Sequence, residues 1–263
     1  MASSVSFVEL RERRSIGWVH PDFAAGGLEP FWAAVQPLEH AKGRGGVGTL
    51  EIAGHTLVVR PYRRGGALGA ILRDRYTRPG RARAELELLA ALRDEGVPVV
   101  VPVAAVGRRS GAFWRLRLCT ERLVGALPLP AFLAAHPAQR RYTATAVGTV
   151  LRLAFAAGLR HPDLHPDNIL CALRGDRVRV VLVDLDRATL RQPVQERHRD
   201  AMLARMLRYL QKHKAHLPAA PTRAETMRCL VALVPDRELR HATWRALDRT
   251  VGRAMRRRRL LGR

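Results

Sequence analysis

The pattern of hydrophobic and polar residues changes near residue 122. Before that point short alternating runs predict strands, whereas the hydrophobic residues that follow recur with helical spacing. The elements predicted in the first half are strands at 49–53, 55–60, 99–106 and 113–119 and one main helix at about 79–94. Those predicted in the second half are helices at 129–135, 139–157, 194–213, 223–234 and 235–255, and strands at 168–173 and 178–183. Residues 1–36 are loosely patterned, with one short helix predicted after Pro30.

This separation of strands from helices predicts an α+β fold of two lobes. We expect the N-terminal lobe, residues 1–122, to be an antiparallel sheet with one main helix, and the C-terminal lobe, residues 123–263, to be mostly helical. A chain of 263 residues with a hydrophobic fraction of 47% can bury a substantial core. The two lobes are therefore predicted to form one domain with a cleft near residue 122.

Oxygen-bearing side chains cluster around the two strands of the second half. Residues 161–168 read HPDLHPDN, and Asp184 follows the second strand. A turn predicted at 174–177 makes the strands a hairpin, which brings Asn168 and Asp184 close together. Phosphoryl transfer from a magnesium nucleotide needs one carboxylate as the base for the attacking hydroxyl, and a carboxylate and an amide to hold Mg²⁺. We therefore predict Asp163 as the base and Asn168 and Asp184 as metal ligands.

The order of these residues is that of the kinase catalytic loop, H-x-D-L-x-x-x-N, which a metal-binding Asp follows in D-x-G. Every defined position of the loop matches, whereas Asp186 stands where the second motif has Gly. An isolated His-x-Asp would indicate only a turn between a helix and a strand. The loop, the hairpin and the second Asp together favour a kinase-like site.

Positive charge is the second strong feature of the composition. The chain has 46 Lys and Arg against 23 Asp and Glu, a net charge of +23, and all but three of the basic residues are arginines. Such a field attracts nucleic acid, anionic lipid or a polyanionic substrate. An aromatic content of 5% and the lack of an RNA-reading motif argue against nucleic acid. The alternative is an arginine-rich composition that has no function.

Two observations bear on the location of the protein. No apolar run approaches the about 20 residues that span a bilayer, and residues 1–14 lack the apolar segment of a secretory signal. Cys119, Cys171 and Cys229 are far apart, which predicts buried free thiols and not a disulfide or metal site. We therefore expect a protein that is made and kept in the cytoplasm.

Several segments resemble the protein-kinase-like fold, and more closely the lipopolysaccharide kinases that act on the sugar Kdo (3-deoxy-D-manno-octulosonic acid). The likeness spans about residues 40–215. Besides the catalytic loop, it lies in LVVRPYRRGG at 57–66, RDRY at 73–76, GVPV at 96–99, TER at 120–122 and DLDR at 184–187. The resemblance implies a bilobal enzyme that uses ATP and Mg²⁺ to phosphorylate a hydroxyl of Kdo-lipid A. It also implies a peripheral position on the cytoplasmic face of the inner membrane.

The resemblance implies further roles in the N-terminal lobe. A glycine turn would cover the ATP phosphates with its backbone N–H groups; its glycines are Gly43, Gly45, Gly46 and Gly48. Backbone groups of a connecting segment would line the adenine; its residues are Thr120, Glu121 and Leu123.

A carboxylate on the apolar face of the helix at 79–94 needs a cationic partner. That carboxylate is Glu85, and the resemblance pairs it with Arg60, which stands where protein kinases have lysine. Arg60 would also contact a phosphate of the nucleotide. The alternative is an Arg60–Glu85 pair that only stabilises the lobe.

Four other polar residues lie in or near the catalytic loop. Metal ligation is one interpretation of His161, but it matches the kinase position that braces the loop by hydrogen bonds, which we favour. Asp167 is interpreted as a turn cap. For His165, a phosphate contact and a structural role are equally open. Asp186 is either an additional metal contact or part of a solvated turn.

Basic residues outside the loop are either membrane contacts or a solvated face. The first group is Arg63, Arg64, Arg73, Arg75, Arg78, Arg81 and Arg83, and the second is the run at 256–259. Both would attract the phosphates of lipid A and an anionic membrane surface. Rival functions are a heptose, small-molecule or protein kinase of the same fold, or an inactive kinase-like module that binds anionic lipid or nucleic acid. The oligomeric state stays open.

Overall fold

The computed structural model describes residues 6–38, 46–63 and 74–260, and only the backbone of 253–260. The chain divides into two compact units. The first comprises Met1–Glu95 and Val99–Leu123, and the second comprises Gly96–Pro98 and Val124–Arg263.

The first unit is built on an antiparallel sheet to which seven strands contribute among the described residues. They are β1 (Val8–Glu12), β2 (Ser15–Val19), β3 (Gln36–Pro37), β4 (Gly48–Ile52), β5 (His55–Pro61), β6 (Pro102–Ser110) and β7 (Phe113–Glu121). Their order across the sheet is β1-β2-β6-β7-β5-β4-β3. Helix α1 (Gly80–Asp94) packs against β6 and β7. The predicted antiparallel sheet with one main helix is confirmed.

The N-terminal segment is more ordered than its sequence pattern predicts. β1 and β2 form a hairpin at the edge of the sheet, and the short helix predicted after Pro30 is a 3₁₀ turn at Glu29–Trp32. Four side chains of this N-terminal segment lie in the core against β5 and β6; they are Val19, Phe23, Leu28 and Phe31. The hydrophobic pattern of this segment is weak because the side chains of β1 are mostly exposed and the apolar residues after β2 follow no regular period.

The centre of the sheet positions the first group of candidate residues. β5 pairs with β4 on one side and β7 on the other. Side chains alternate along a strand, so Leu57 and Val59 enter the core while Arg60 lies on the other face, where it contacts α1. The strand predicted at 99–106 begins only at Pro102, and a bulge between Pro102 and Ala104 accompanies the missing N–H of the proline.

The second unit is mostly helical, as predicted. Its helices are α2 (Leu129–Ala135), α3 (Arg140–Ala156), α4 (Glu196–His213), α5 (Arg223–Leu233) and α6 (Arg237–Leu260). Its strands are β8 (Leu127–Pro128), β9 (Leu159–Arg160), β10 (Ile169–Arg174), β11 (Arg177–Leu182) and β12 (Thr189–Leu190). They form two small antiparallel sheets, ordered β11-β10-β8 and β12-β9. α3 packs on α5 and on β11, and α4 packs on α6.

Helices α3 and α5 pack closely against each other. A Cβ on Gly148 would lie 2.2 Å from the carbonyl oxygen of Cys229, so the glycine permits this close approach. Arg140 donates to both carboxylate oxygens of Glu225, at 2.7 and 2.8 Å. Glu225 also completes a capping box with Thr222 at the start of α5.

None of the described helices is both long enough and apolar enough to span a membrane.

Cys119 and Cys171 are buried free thiols, as predicted, and burial raises the pKa of each to about 12. Both thiols are therefore protonated at neutral pH and unreactive.

Candidate functional site

The β10–β11 hairpin places Asn168 and Asp184 at the same end of two paired strands. The register runs from Ile169 opposite Leu182 to Arg174 opposite Arg177. The connecting loop is the predicted turn, and Gly175 takes a left-handed φ of 56° there. Beyond the last pair, the N–H of Val183 donates to the carbonyl oxygen of Asn168 at 3.0 Å. Asn168 therefore enters the hairpin where Asp184 leaves it.

Asn168 closes the loop that carries Asp163. Its side chain is buried, and its Nδ2 donates to the carbonyl oxygen of Asp163 at 3.2 Å. Its backbone N–H donates to the carbonyl oxygen of His165 at 2.9 Å. Because the amide nitrogen is used inside the loop, the Oδ1 atom is the part of the side chain that can serve as a metal ligand.

His161 braces the same loop from within. The residue is 2% exposed, and its Nδ1 accepts a hydrogen bond from the N–H of Asp163 at 3.2 Å. Burial lowers the pKa of His161, although the negative charges of Asp184 and Asp163 oppose that shift. A neutral imidazole that accepts at Nδ1 supports the bracing role that we predicted.

Asp184 has an unusual backbone conformation. Its φ is 57°, in the left-handed region; among the described residues Ala53 is the other non-glycine residue with positive φ. This region costs an L-residue about 1–2 kcal/mol, although Asp enters it more readily than most. Such a cost persists where a site requires the local geometry. The strained backbone makes Asp184 a candidate functional residue, and its role as a metal ligand stays a prediction.

Helix α4 covers the catalytic loop with residues that we did not predict from the sequence. Arg205 and Tyr209 are four residues apart on one helix face. The Nη2 atom of Arg205 donates to Oδ1 of Asp163, and the hydroxyl of Tyr209 donates to Oδ2 of Asp167. The Tyr209 ring also stacks on His165, with centroids 4.7 Å apart.

These contacts change the interpretation of two residues of the loop. The carboxylate of Asp167 accepts from Tyr209 and so ties the loop to α4, beyond the turn-capping role that we predicted. Burial lowers the pKa of His165, and the adjacent Asp163 opposes the shift, so a neutral ring stacks on Tyr209. Asp186 lies in a turn closed by the N–H of Ala188 donating to the carbonyl oxygen of Leu185 at 2.9 Å, and both of its interpretations stay open.

In the first unit, Glu85 accepts hydrogen bonds from the side chains of Arg60 and Tyr62. Arg60 Nη2 donates to Oε2 of Glu85 at 2.5 Å, and the Tyr62 hydroxyl donates to the same oxygen. The side chain of Glu85 is 1% exposed and that of Arg60 24%. Burial of a carboxylate requires such compensation. The Arg60–Glu85 pair was expected, whereas Tyr62 was missed, although its position two residues after Arg60 places it on the same face of the strand.

The structure describes part of the predicted glycine turn. Gly46 has a φ of 72°, and a Cβ on Gly48 would lie 2.4 Å from the carbonyl oxygen of Gln36. Glycine is therefore needed at both positions for backbone reasons. Gly43 and Gly45 lie outside the described residues, as do Arg64 and Arg73. The phosphate-covering role of this turn stays a prediction.

The predicted adenine-lining segment lies at the end of β7. Thr120 is buried and pairs with Val58, while Leu123 ends the first unit. The N–H of Glu121 donates to the carbonyl oxygen of Val101 at 2.9 Å. The N–H of the next residue, Arg122, donates to the carbonyl oxygen of Thr56 at 3.0 Å. An adenine contact in this segment therefore depends on its other backbone groups.

Comparison with known proteins identifies relatives of the whole region that contains these residues. The model of the lipopolysaccharide kinase (Kdo/WaaP) family matches residues 30–228. A 3-deoxy-D-manno-octulosonic acid kinase of Xylella fastidiosa (strain 9a5c) is 35% identical over 186 residues, which cover 69% of this chain and 72% of the relative. The enzyme of that name from Xanthomonas oryzae pv. oryzae (strain PXO99A) is 36% identical over 174 residues, or 65% and 68% of the two chains.

Solved structures confirm the predicted fold. The structure of WaaP in complex with acyl carrier protein has a TM-score of 0.56 at 23% identity, and the match covers 85% of this chain and 92% of that one. An aminoglycoside-3'-phosphotransferase of type VIII has a TM-score of 0.52 at 20% identity, with 88% and 100% covered. The chain has a protein-kinase-like α+β fold.

The buried carboxylate of Glu85 yields a stability prediction. Arg60→Met removes the cation that Glu85 contacts at 2.5 Å, and we expect the free energy of unfolding to fall by about 3 kcal/mol. Adding Glu85→Gln removes the buried negative charge but keeps an acceptor for Tyr62, so the double variant should recover part of the loss. Equilibrium urea unfolding measures both values.

A control on α1 separates this effect from general loss of charge. Arg83 pairs with Glu87 at the surface, with both side chains about half exposed. Arg83→Met should therefore change the stability by no more than about 1 kcal/mol. A double variant no more stable than Arg60→Met alone would contradict the role given to the pair.

The left-handed conformation of Asp184 yields a second prediction. Asp184→Gly and Asp184→Ala both remove the carboxylate, but only alanine pays the steric cost of positive φ. We therefore expect the glycine variant to be more stable than the alanine variant by about 1 kcal/mol, as measured by urea unfolding. Equal stability, or a more stable alanine variant, would show that the backbone at 184 is not held in this conformation in solution.

Proposed function

Because the chain belongs to the lipopolysaccharide kinase (Kdo/WaaP) family, we propose that it transfers the γ-phosphoryl group of ATP to a hydroxyl of the Kdo sugar of Kdo-lipid A. The family and the fold establish a phosphotransferase with a hydroxyl acceptor that acts in lipopolysaccharide core synthesis. The choice of Kdo as acceptor is supported by relatives that are named 3-deoxy-D-manno-octulosonic acid kinases. The observation that carries the proposal is the grouping of Asp163, Asn168 and Asp184 around one hairpin.

Asp163 is the proposed base. Its side chain is 47% exposed, so an acceptor can reach it, and its backbone is fixed by His161 and Asn168. A base must lie within about 2.6–3.2 Å of the hydroxyl whose proton it takes. An exposed carboxylate on a loop with a fixed backbone supports this role, since the acceptor would approach a group whose position is already set.

Asn168 and Asp184 are the proposed ligands of Mg²⁺. Their oxygens are the hard donors that this ion prefers, and two protein ligands are enough where water and nucleotide phosphates complete the octahedron. The described residues contain no group of three or more His, Cys, Asp or Glu that could hold a metal. When bound, Mg²⁺ would neutralise charge on the phosphates during transfer.

Residues of the first unit are proposed to hold the nucleotide. Glu85 fixes the position of Arg60, whose planar guanidinium has the geometry that binds a phosphate. Backbone groups would contact the phosphates at Gly43, Gly45, Gly46 and Gly48 and the adenine at Thr120, Glu121 and Leu123. On this proposal residues 1–122 and 123–263 act as one catalytic domain.

We also propose a peripheral position on an anionic membrane surface at the cytoplasmic face of the inner membrane. The support is the net charge of +23. Arg63, Arg75 and Arg78 are exposed, and each basic residue near an anionic surface contributes about 1 kcal/mol. Arg83 contributes less on this account, since it pairs with Glu87.

The proposed function predicts transfer of label from [γ-³²P]ATP to Kdo-lipid A. Asp163→Ala should lower kcat by about 10²–10⁴-fold, the usual contribution of a positioned base, while ATP binding persists because Asp163 is not proposed to contact the nucleotide. Heptosylated core and a generic protein substrate serve as competing acceptors in parallel reactions, each run with and without Mg²⁺.

The matched control is Asp176→Asn, which removes an exposed carboxylate in the loop at the opposite end of the same hairpin. It should retain wild-type activity. Labelling of the protein substrate or of the heptosylated core, with none in Kdo-lipid A, would refute Kdo as the acceptor. Undiminished activity of Asp163→Ala would refute the assignment of the base.

A further inference from the structure

We propose that Arg205 binds the carboxylate of an acidic sugar acceptor beside the hydroxyl that is phosphorylated. The inference rests on the proposed function, because it takes Asp163 as the base. It assigns a specificity role to a helix, α4, that contains none of the predicted catalytic or metal-binding residues.

Arg205 contacts the residue that is proposed as the base. Its Nη2 atom donates to Oδ1 of Asp163. The acceptor hydroxyl must come within about 2.6–3.2 Å of that same carboxylate. A carboxylate on the same sugar ring as that hydroxyl, a few bonds away, therefore comes within reach of the guanidinium of Arg205.

Negative charge surrounds the proposed base. Asp163 and Asp167 lie in the same loop, Asp184 leaves the hairpin where Asn168 enters it, and Arg205 is the cation bonded to Asp163. The carboxylate of Asp167 is occupied by Tyr209, and Asp184 is assigned to the metal. A sugar acid that approaches Asp163 would meet like charge at short range, which Arg205 offsets.

The guanidinium group of Arg205 is suited to binding a carboxylate. Arginine has five N–H donors in a planar fork that matches a carboxylate. The contact with Oδ1 of Asp163 engages one nitrogen. The remaining donors can bind a second carboxylate without release of the first, so Arg205 can bridge the base and an acidic acceptor.

A purely structural role accounts poorly for Arg205. The side chains of Arg205 and Asp163 are 44% and 47% exposed, and exposed ion pairs add little stability. α4 is attached by other means, through the buried side chains of Met202, Leu203 and Met206. Tyr209, one turn further along the helix, anchors α4 to the loop and thereby holds Arg205 in place.

The test compares Kdo-lipid A with its carboxyl methyl ester, which keeps the hydroxyls and loses the negative charge. Wild type should prefer the acid. Arg205→Gln should raise the KM for the acid by about 10–100-fold, the value of a hydrogen bond between charged groups, and leave the KM for the ester and for ATP unchanged. Arg205→Lys, which keeps the charge without the fork, should fall between the two.

Arg208→Gln is the control, because it removes the same charge from an exposed position one turn along α4. It should keep the wild-type preference for the acid. Circular dichroism melting should show that all variants fold; if Arg205→Gln does not, the preference of Arg205→Lys decides the outcome.

Four results would overturn the inference. An equal change in KM for acid and ester, or no change for either, would show that Arg205 does not bind the carboxylate of the acceptor. A change in KM that depends on the phosphates of lipid A, tested with dephosphorylated lipid, would identify the wrong anion. If wild type labels neither acceptor although it binds ATP, the proposed function fails and this inference fails with it, whereas labelling of both without preference refutes this inference alone.

Discussion

The pairing of β10 with β11 is the constraint on which the candidate site depends. Side chains alternate along strands, so a slip of one residue would exchange the faces of the hairpin. The buried side chains of Ile169 and Leu182 oppose such a slip, and Val183 adds a hydrogen bond beyond the last pair. Since Asn168 and Asp184 flank this pairing directly, the pairing sets their separation.

The rest of the site is arranged to keep three carboxylates in a small region. His161 is buried and neutral and fixes the loop without adding charge. Burial, the hydrogen bond to Asp167 and the neighbouring negative charges raise the pKa of Tyr209, so its hydroxyl stays a donor to that carboxylate. Arg205 provides the compensating cation at Asp163. Together with the left-handed backbone of Asp184, these contacts support the proposed phosphoryl transfer more than they stabilise the fold.

The sequence predicted what depends on local spacing and on the cost of buried charge. The catalytic loop and the hairpin lie within 24 residues, and their order alone indicated which groups would meet. Glu85 was recognisable because a carboxylate on an apolar helix face requires a cation, and Arg60 provides it. The family was indicated by a resemblance that also lies in other segments, such as residues 57–66 and 73–76, and both the family and the protein-kinase-like fold are confirmed.

The contacts that sequence reasoning missed join residues that are far apart in the chain. Arg205 and Tyr209 each meet a partner 42 residues away, and no periodicity tells which face of α4 meets the loop. The N-terminal segment enters the core through Phe23, Leu28 and Phe31, whose irregular spacing predicts neither helix nor strand. Packing decides both features, and single-sequence patterns contain little of that information.

In the proposed function, one hairpin holds two metal ligands, Asn168 and Asp184, beside a base that does not bind the metal. Electron paramagnetic resonance of Mn²⁺, which accepts the same oxygen ligands as Mg²⁺, tests these ligand assignments most directly in titrations with ATP present. Asn168→Ala and Asp184→Ala should each weaken nucleotide-dependent Mn²⁺ binding, whereas Asp163→Ala should bind as tightly as wild type. Equal loss in all three variants, or none in the first two, would contradict the account.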